Sequence, residues 1–271
     1  MMEALAEMFT YDFMQRALLG VLLIMPLFSL LGTLVVNNGL SFFSDALGHS
    51  ALTGAAIGLL FGLADPQPVM LLFAIGLALL MNVIRHSRLS TADTVIGVFA
   101  SCGVALGLIL LSGKGFAGYQ RLLIGDILSI TDTQLWVLFG ALCVVIVVWL
   151  LCFNGMFATA LSPSLARSKG LPTVWLDHLF VVVLAVVVML SVQWVGLLLV
   201  NALLVIPAAA ARNVAKGMRS YLILTLIFGL FSGLLGLMVS YLNAVATGPT
   251  IVLIGTAIFF GTYGIARRDR T

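Results

Sequence analysis

The chain has 271 residues, of which 62% are hydrophobic and only 8% charged, with a formal net charge of +3. Thirteen basic and ten acidic side chains cannot give a soluble globule its polar surface. The small positive excess is no sign of a nucleic-acid partner either, because ten of the thirteen basic residues fall in four short clusters. The composition points to an all-α, polytopic bundle in a lipid bilayer, with one transmembrane domain over residues 1–271.

In chain order, the first segment, MMEALAEMFTYDF, carries Glu3, Glu7 and Asp12 ahead of the first basic residue, Arg16. That is the reverse of a secretory leader, and no cleavage is expected. Apolar runs follow at about 17–36, 44–63, 68–84, 94–112, 135–153, 176–194, 196–211, 220–241 and 249–266. Each is close to the ~20 residues that cross a ~30 Å hydrocarbon core. The stretch 176–211 would be roughly 54 Å long as one helix, so it divides into two spans. This division puts Arg85 and Arg88, Arg167 and Lys169, Arg212, Lys216 and Arg219, and Arg267, Arg268 and Arg270 on one side. Only Arg16, Lys114 and Arg121 face the other. The positive-inside rule then sets the N-terminus outside and the C-terminus inside, with nine crossings, or eight as the alternative. Trp175 and Trp194 are read as interfacial belt residues.

The second run, SFFSDALGHSALTGAAIGLLFG, holds two ionisable groups inside an apolar segment. At 100° per residue Asp45 and His49 lie about 40° apart, on one helix face, where an oxygen and an imidazole nitrogen can share a metal ion. Gly54, Gly58 and Gly62 fall roughly 180–260° away, a face suited to close helix contact. A carboxylate within a span costs about 2.5–3.5 kcal/mol and usually marks a pathway. The alternative is that Ser41, Ser44 and Asp45 cap the helix, with His49 a satisfied core residue. Two donors do not complete a site, but two copies of this face on a symmetry axis would supply two Asp and two His. That set suits zinc, manganese(II) or iron(II).

Between the fourth and fifth spans, YQRLLIGDILSI within residues 112–134 reads as a short re-entrant or surface helix. After the fifth comes FNGMFATALSPSLARSKGLPTVW, where Ser162 and Pro163, then Gly170 and Pro172, bracket one short helix in a loop at 154–175. Such a helix is either a docking element for a partner or simply an ordered loop. Asp177 and His178 read as an interfacial pair, with an exit relay the alternative, and His86 as a solvated loop residue. Pro207 reads as a kink or a hinge, and Pro249 as a first-turn proline. Cys102, Cys143 and Cys152 lack CxxC spacing and are read as small buried side chains. Gly107, Gly113 and Lys114 imitate a phosphate loop, but five residues separate the glycines and Gly115 follows the lysine, so the match is fortuitous. There is no HExxH and no GxSxG. The chain is not expected to be an enzyme or to hold a permanent cofactor, and uphill transport needs a partner ATPase or an ion gradient.

SFFSDALGHSALTGAAIG, with LLVNALLVIPAAAAR and TGPTIVL further along, resembles three motifs of the membrane permeases of bacterial ABC importers for zinc and manganese. The resemblance runs over nearly the whole chain in order and spacing. It implies a homodimer of permeases in the bacterial cytoplasmic (inner) membrane, two cytoplasmic ABC ATPase subunits, and an extracytoplasmic metal-binding protein. It implies that Asp45 and His49 line the translocation path, and that SPSLARSKGLP is the coupling helix, with Ser162, Pro163, Leu165, Ala166 and Gly170. Asp126 matches a segment where zinc-type relatives often have Asp, with a solvated carboxylate the equal alternative. Asn37 and Asn38 depart from the pattern, since many relatives are basic there. The expected substrate is a divalent transition metal, zinc first, then manganese or iron(II). A proton-coupled secondary carrier is the rival reading, and an intramembrane metalloenzyme a weaker one, since no general base adjoins the pair.

Overall fold

The computed structural model describes residues 10–63, 65–86, 91–112 and 125–268, the side chain of Leu198 aside. The described residues form α-helices and one 3-10 turn, with no strand among them. In order they are α1 (Asp12–Asn37), α2 (Phe43–Leu60), α3 (Gln67–His86), α4 (Ala92–Leu111), α5 (Asp132–Leu161), the short α6 (Pro163–Ser168), α7 (Thr173–Val195), α8 (Leu197–Val214), α9 (Met218–Asn243) and α10 (Thr247–Arg268). Nine of these reach 18 residues or more. With its Asp, His, Ser and Gly content, α2 is not among those apolar enough by composition to count as a span, so seven or eight of the nine expected crossings are met. By length and composition α1, α3, α4, α5, α7, α9 and α10 are apolar enough to cross a bilayer, and α8 has a shorter apolar run at Leu199–Val214. The expected division of 176–211 falls at Gly196, whose φ of 87° breaks the helix. Residues 1–9 and 113–124, and with them Lys114, Arg121 and most of the expected re-entrant piece, lie outside the described residues.

The main boundary difference is α5, which continues to Leu161, eight residues past its expected end. Nothing in NGMFATAL interrupts it, and Gly155 lets the helix pack against Leu176, where a Cβ would sit 2.9 Å from Leu176 Cδ1. The break comes at Ser162–Pro163. Pro207 and also Pro26 lie inside helices, and Pro249 sits in the first turn of α10, as expected.

The chain forms two compact units. The first comprises residues 1–36, 126–147 and 202–271. Within it Ser29 Oγ donates to Thr225 O at 3.3 Å, and Asn213 Nδ2 to Thr262 Oγ1 at 3.2 Å. Arg16 Nε meets Asp132 Oδ1 at 2.9 Å. Small residues hold its helices close, as at Gly236, where a Cβ would lie 2.8 Å from Ile251 Cα.

The second unit comprises residues 37–125 and 148–201 and is built around α2, which contacts α3, α4 and α7. Thirteen of the 18 residues of α2 are buried. A helix buried on nearly every side must be made of small residues for its neighbours to approach, which is why Ala, Gly, Ser and Thr dominate it. Two of the three glycines picked out above act as expected: a Cβ on Gly54 would sit 2.7 Å from Met70 Cα, and one on Gly58 3.0 Å from Pro66 Cβ. Gly62 does not belong to that face. It lies beyond the helix end with φ 70° and no neighbour within 4 Å, so its role is the turn itself. On another side Gly103 and Gly107 of α4 admit Ser50, Leu52 and Thr53, and Thr53 Oγ1 donates to Gly103 O.

Two expectations about burial are corrected. Cys102 and Cys143 are exposed on this chain and Cys152 is half-buried, because they lie on outward apolar faces that lipid can cover. Trp194 is buried within its unit instead of forming a belt, while Trp175 is exposed as expected.

Candidate functional site

Asp45 lies in the first turn of α2 and His49 one turn later, and their side chains meet with Nε2 3.4 Å from Oδ2. That distance is longer than a well-formed hydrogen bond, so the pair is loose. Both side chains are partly exposed, 36% for Asp45 and 27% for His49, in a helix that is otherwise mostly buried. Gly48, between them, lets α2 approach the start of α8, a Cβ there falling 3.1 Å from Leu197 Cδ2.

Of the capping alternative, the dipole part stands, since Asp45 is in the first turn of α2, but the capping bonds are not formed. The N-cap is Phe42, which makes no side-chain cap bond. Ser44 Oγ is instead bonded across helices to Asn201 Oδ1 of α8 at 2.5 Å. Asn201 is therefore a polar partner of the first turn of α2 that spacing within α2 did not indicate. The only sequence signal was its place in LLVNALLVIP, an amide in the middle of an apolar run. Among the described residues no group of three or more His, Cys, Asp or Glu side chains comes together, so one chain offers a two-residue set.

Asp126 belongs to the other unit. Its Oδ1 accepts from Leu128 N at 3.1 Å and its backbone O from Ser129 Oγ at 2.8 Å, capping the 3-10 turn Ile127–Ser129.

The short helix α6 is closed at both ends by the residues expected to bracket it. Ser162 is the N-cap, its Oγ accepting from Leu165 N at 3.4 Å, and Pro163 opens the first turn. At the other end Gly170 has φ 74°, Gly170 N donates to Arg167 O at 2.9 Å, and Leu171 N to Ala166 O at 3.1 Å, which is a Schellman closure. Ala166 is buried, whereas Pro163 and Leu165 are exposed. The helix is a short knob with one small side chain, Ala166, inward and with Pro163 and Leu165 outward.

His86 is not a loop residue. It ends α3 and places Nε2 3.1 Å from Asp177 Oδ2 on α7. His178 turns away and bonds its own helix, Nδ1 to Val174 O at 2.6 Å. The sequence pairing of Asp177 with His178 is therefore replaced by one between helices.

Long apolar helices, with one small-residue helix carrying a loose acid–imidazole pair and a capped knob between two of them, define a multi-pass membrane protein. The comparisons make this particular. The model of the ABC 3 transport family matches residues 10–265, so the chain belongs to that family. It is 29% identical over 269 residues to the manganese import system permease protein ScaB of Streptococcus gordonii, covering 99% of this chain and 96% of that one. It is 27% identical over 255 residues to the manganese transport system membrane protein MntC of Halalkalibacterium halodurans, covering 93% and 87%. Among solved structures, PsaBC from Streptococcus pneumoniae in complex with Fab matches with a TM-score of 0.84 at 28% identity, over 96% of this chain and 94% of that one. The protein is a multi-pass permease of the cytoplasmic membrane.

Proposed function

We propose that this permease carries a divalent transition metal inward, manganese(II) first and zinc or iron(II) next, in an importer driven by a partner ATPase. The sequence put zinc first. Relatives named for manganese import favour that ion, and the Asp45 carboxylate is a hard donor that suits it. The observation that carries this reading is the Asp45–His49 pair, half-open in a helix whose other faces are closed by close packing.

In this reading the cation parts the loose Asp45–His49 contact and takes one carboxylate oxygen and one imidazole nitrogen in exchange for water. Two donors hold it weakly, and a second copy of the chain completes the set as two Asp and two His. Binding has to be transient, since a cage that bound tightly would not release. Ser44 and Asn201 fix the first turn of α2 against α8, so that Asp45 keeps its aim. The N-terminus is outside, and α6 lies on the cytoplasmic face, where Pro163 and Leu165 seat on an ABC ATPase subunit while Ser162, Ala166 and Gly170 keep the helix folded. An extracytoplasmic metal-binding protein delivers the ion. Asp126 has a structural duty as a cap, and any part in the path is secondary to Asp45.

The test is uptake of radioactive manganese(II) into proteoliposomes. Uptake is expected only with the ATPase, the binding protein and ATP present, and a proton gradient alone should move nothing. Gradient-driven uptake by the lone chain would make it a secondary carrier instead.

A further inference from the structure

We infer that His86 and Asp177 are positioning residues that carry the movement of α6 to the helix bearing Asp45 and His49. This rests on the proposed docking of α6 to an ATPase. The linker from α6 to α7 is short and its backbone N–H groups are bonded: Gly170 N and Leu171 N return to Arg167 O and Ala166 O, and Thr173 N reaches Leu171 O at 2.9 Å. A push on α6 therefore moves the start of α7 with little slack. Asp177 lies in the second turn of α7 and is mostly buried, its side chain 17% exposed.

α7 packs against α3, and at this point polar groups tie the two helices, with His86 half-exposed and Asp177 mostly buried. His86 has an acceptor at each ring nitrogen, Asn82 O 2.7 Å from Nδ1 and Asp177 Oδ2 3.1 Å from Nε2. Arg85 Nη2 donates to Asn82 Oδ1 at 2.8 Å, and its charge also acts on Asp177. Asn82 is wholly buried, and its Nδ2 has no partner among the described residues. A buried amide whose NH2 group is unused costs free energy in this arrangement and gains bonds if its surroundings shift, which suits a joint better than a static brace.

From α3 the route to the site is short. The contacts of Gly54 with Met70 and of Gly58 with Pro66 make α2 and α3 antiparallel, so the first turn of α2 lies beside the last turns of α3. Asp45 is then level with about residue 79, on the order of 10 Å along the axis from His86. α2 packs against both α3 and α7, so a displacement at Asp177 reaches the helix of Asp45 through packed neighbours, directly and by way of α3.

The experiment compares manganese(II) moved per ATP hydrolysed in proteoliposomes holding the whole complex, for wild type, His86→Leu, His86→Gln and Asp177→Asn. His86→Leu is expected to lower that ratio by roughly two- to thirty-fold, with ATP hydrolysis and ATPase co-purification kept. His86→Gln, whose amide can still donate to Asp177, should restore most of it, and Asp177→Asn should fall between. An unchanged ratio in both His86→Leu and Asp177→Asn overturns the inference, as does a proportionate fall in uptake and hydrolysis, which is the mark of lost folding alone. Should the wild-type chain fail to bind an ATPase at all, the docking of α6 fails and the inference with it. If it binds and the variants couple normally, only the inference fails.

Discussion

The second unit contains two aspartate–histidine pairs, and they are built for opposite ends. Asp45 and His49 stand four residues apart on one helix, 3.4 Å from each other, so parting them disturbs no contact between helices. His86 and Asp177 are 91 residues apart and join two helices at 3.1 Å, with Arg85 and Asn82 beside them. In the proposed reading the same two side chains make a ligand set when they share a helix and a joint when they do not. Chemistry alone does not separate the roles. The element to which each partner is anchored does.

The largest effect is expected at the first pair. Asp45→Ala and His49→Ala should each reduce manganese(II) uptake to background while the chain still assembles with its ATPase, and wild-type uptake in both would return these residues to helix capping. Acid should act in the same direction, since both donors must be deprotonated to bind the ion, so uptake should fall as pH drops through the imidazole range. At the second pair the expected loss is in metal moved per ATP and not in assembly. If His86→Leu instead abolished uptake as Asp45→Ala does, the two pairs would share one role.

Smaller effects sharpen the part played by the packing between the pairs. Gly54→Ala places a methyl 2.7 Å from Met70 Cα, a backbone atom that cannot swing aside. It should destabilise the purified permease by about 1–3 kcal/mol, read as an earlier thermal unfolding. Gly62→Ala meets no neighbour and loses only conformational freedom at φ 70°. A cost of roughly 1 kcal/mol with unchanged uptake is expected there.

The sequence made the membrane bundle legible because span length and charge clustering are local properties. Asp45 and His49 were legible for the same reason: a spacing of four within one helix is written in the chain. The brackets of α6, Ser162–Pro163 and Gly170–Pro172, were local signals too. The partners separated by many residues were not legible. Ser44 bonds Asn201, and His86 bonds Asp177, because α2 packs near α8 and α3 against α7, and no helical period encodes which helices become neighbours. The loss of Gly62 from the packing face has a similar cause, since four-residue spacing continues past the point where the backbone turns into the left-handed region. Cys102 and Cys143 looked buried because apolar runs in soluble proteins are buried, whereas here the outer apolar surface serves as the lipid face.

The central claim is that Asp45 and His49 take the cation directly. Pulsed electron paramagnetic resonance of manganese(II) bound to the purified permease–ATPase complex reads this claim without relying on transport. The account predicts nitrogen modulation from an imidazole ligand in the wild type, lost in His49→Ala. Manganese bound with no nitrogen ligand, or a nitrogen signal that survives His49→Ala, would contradict it.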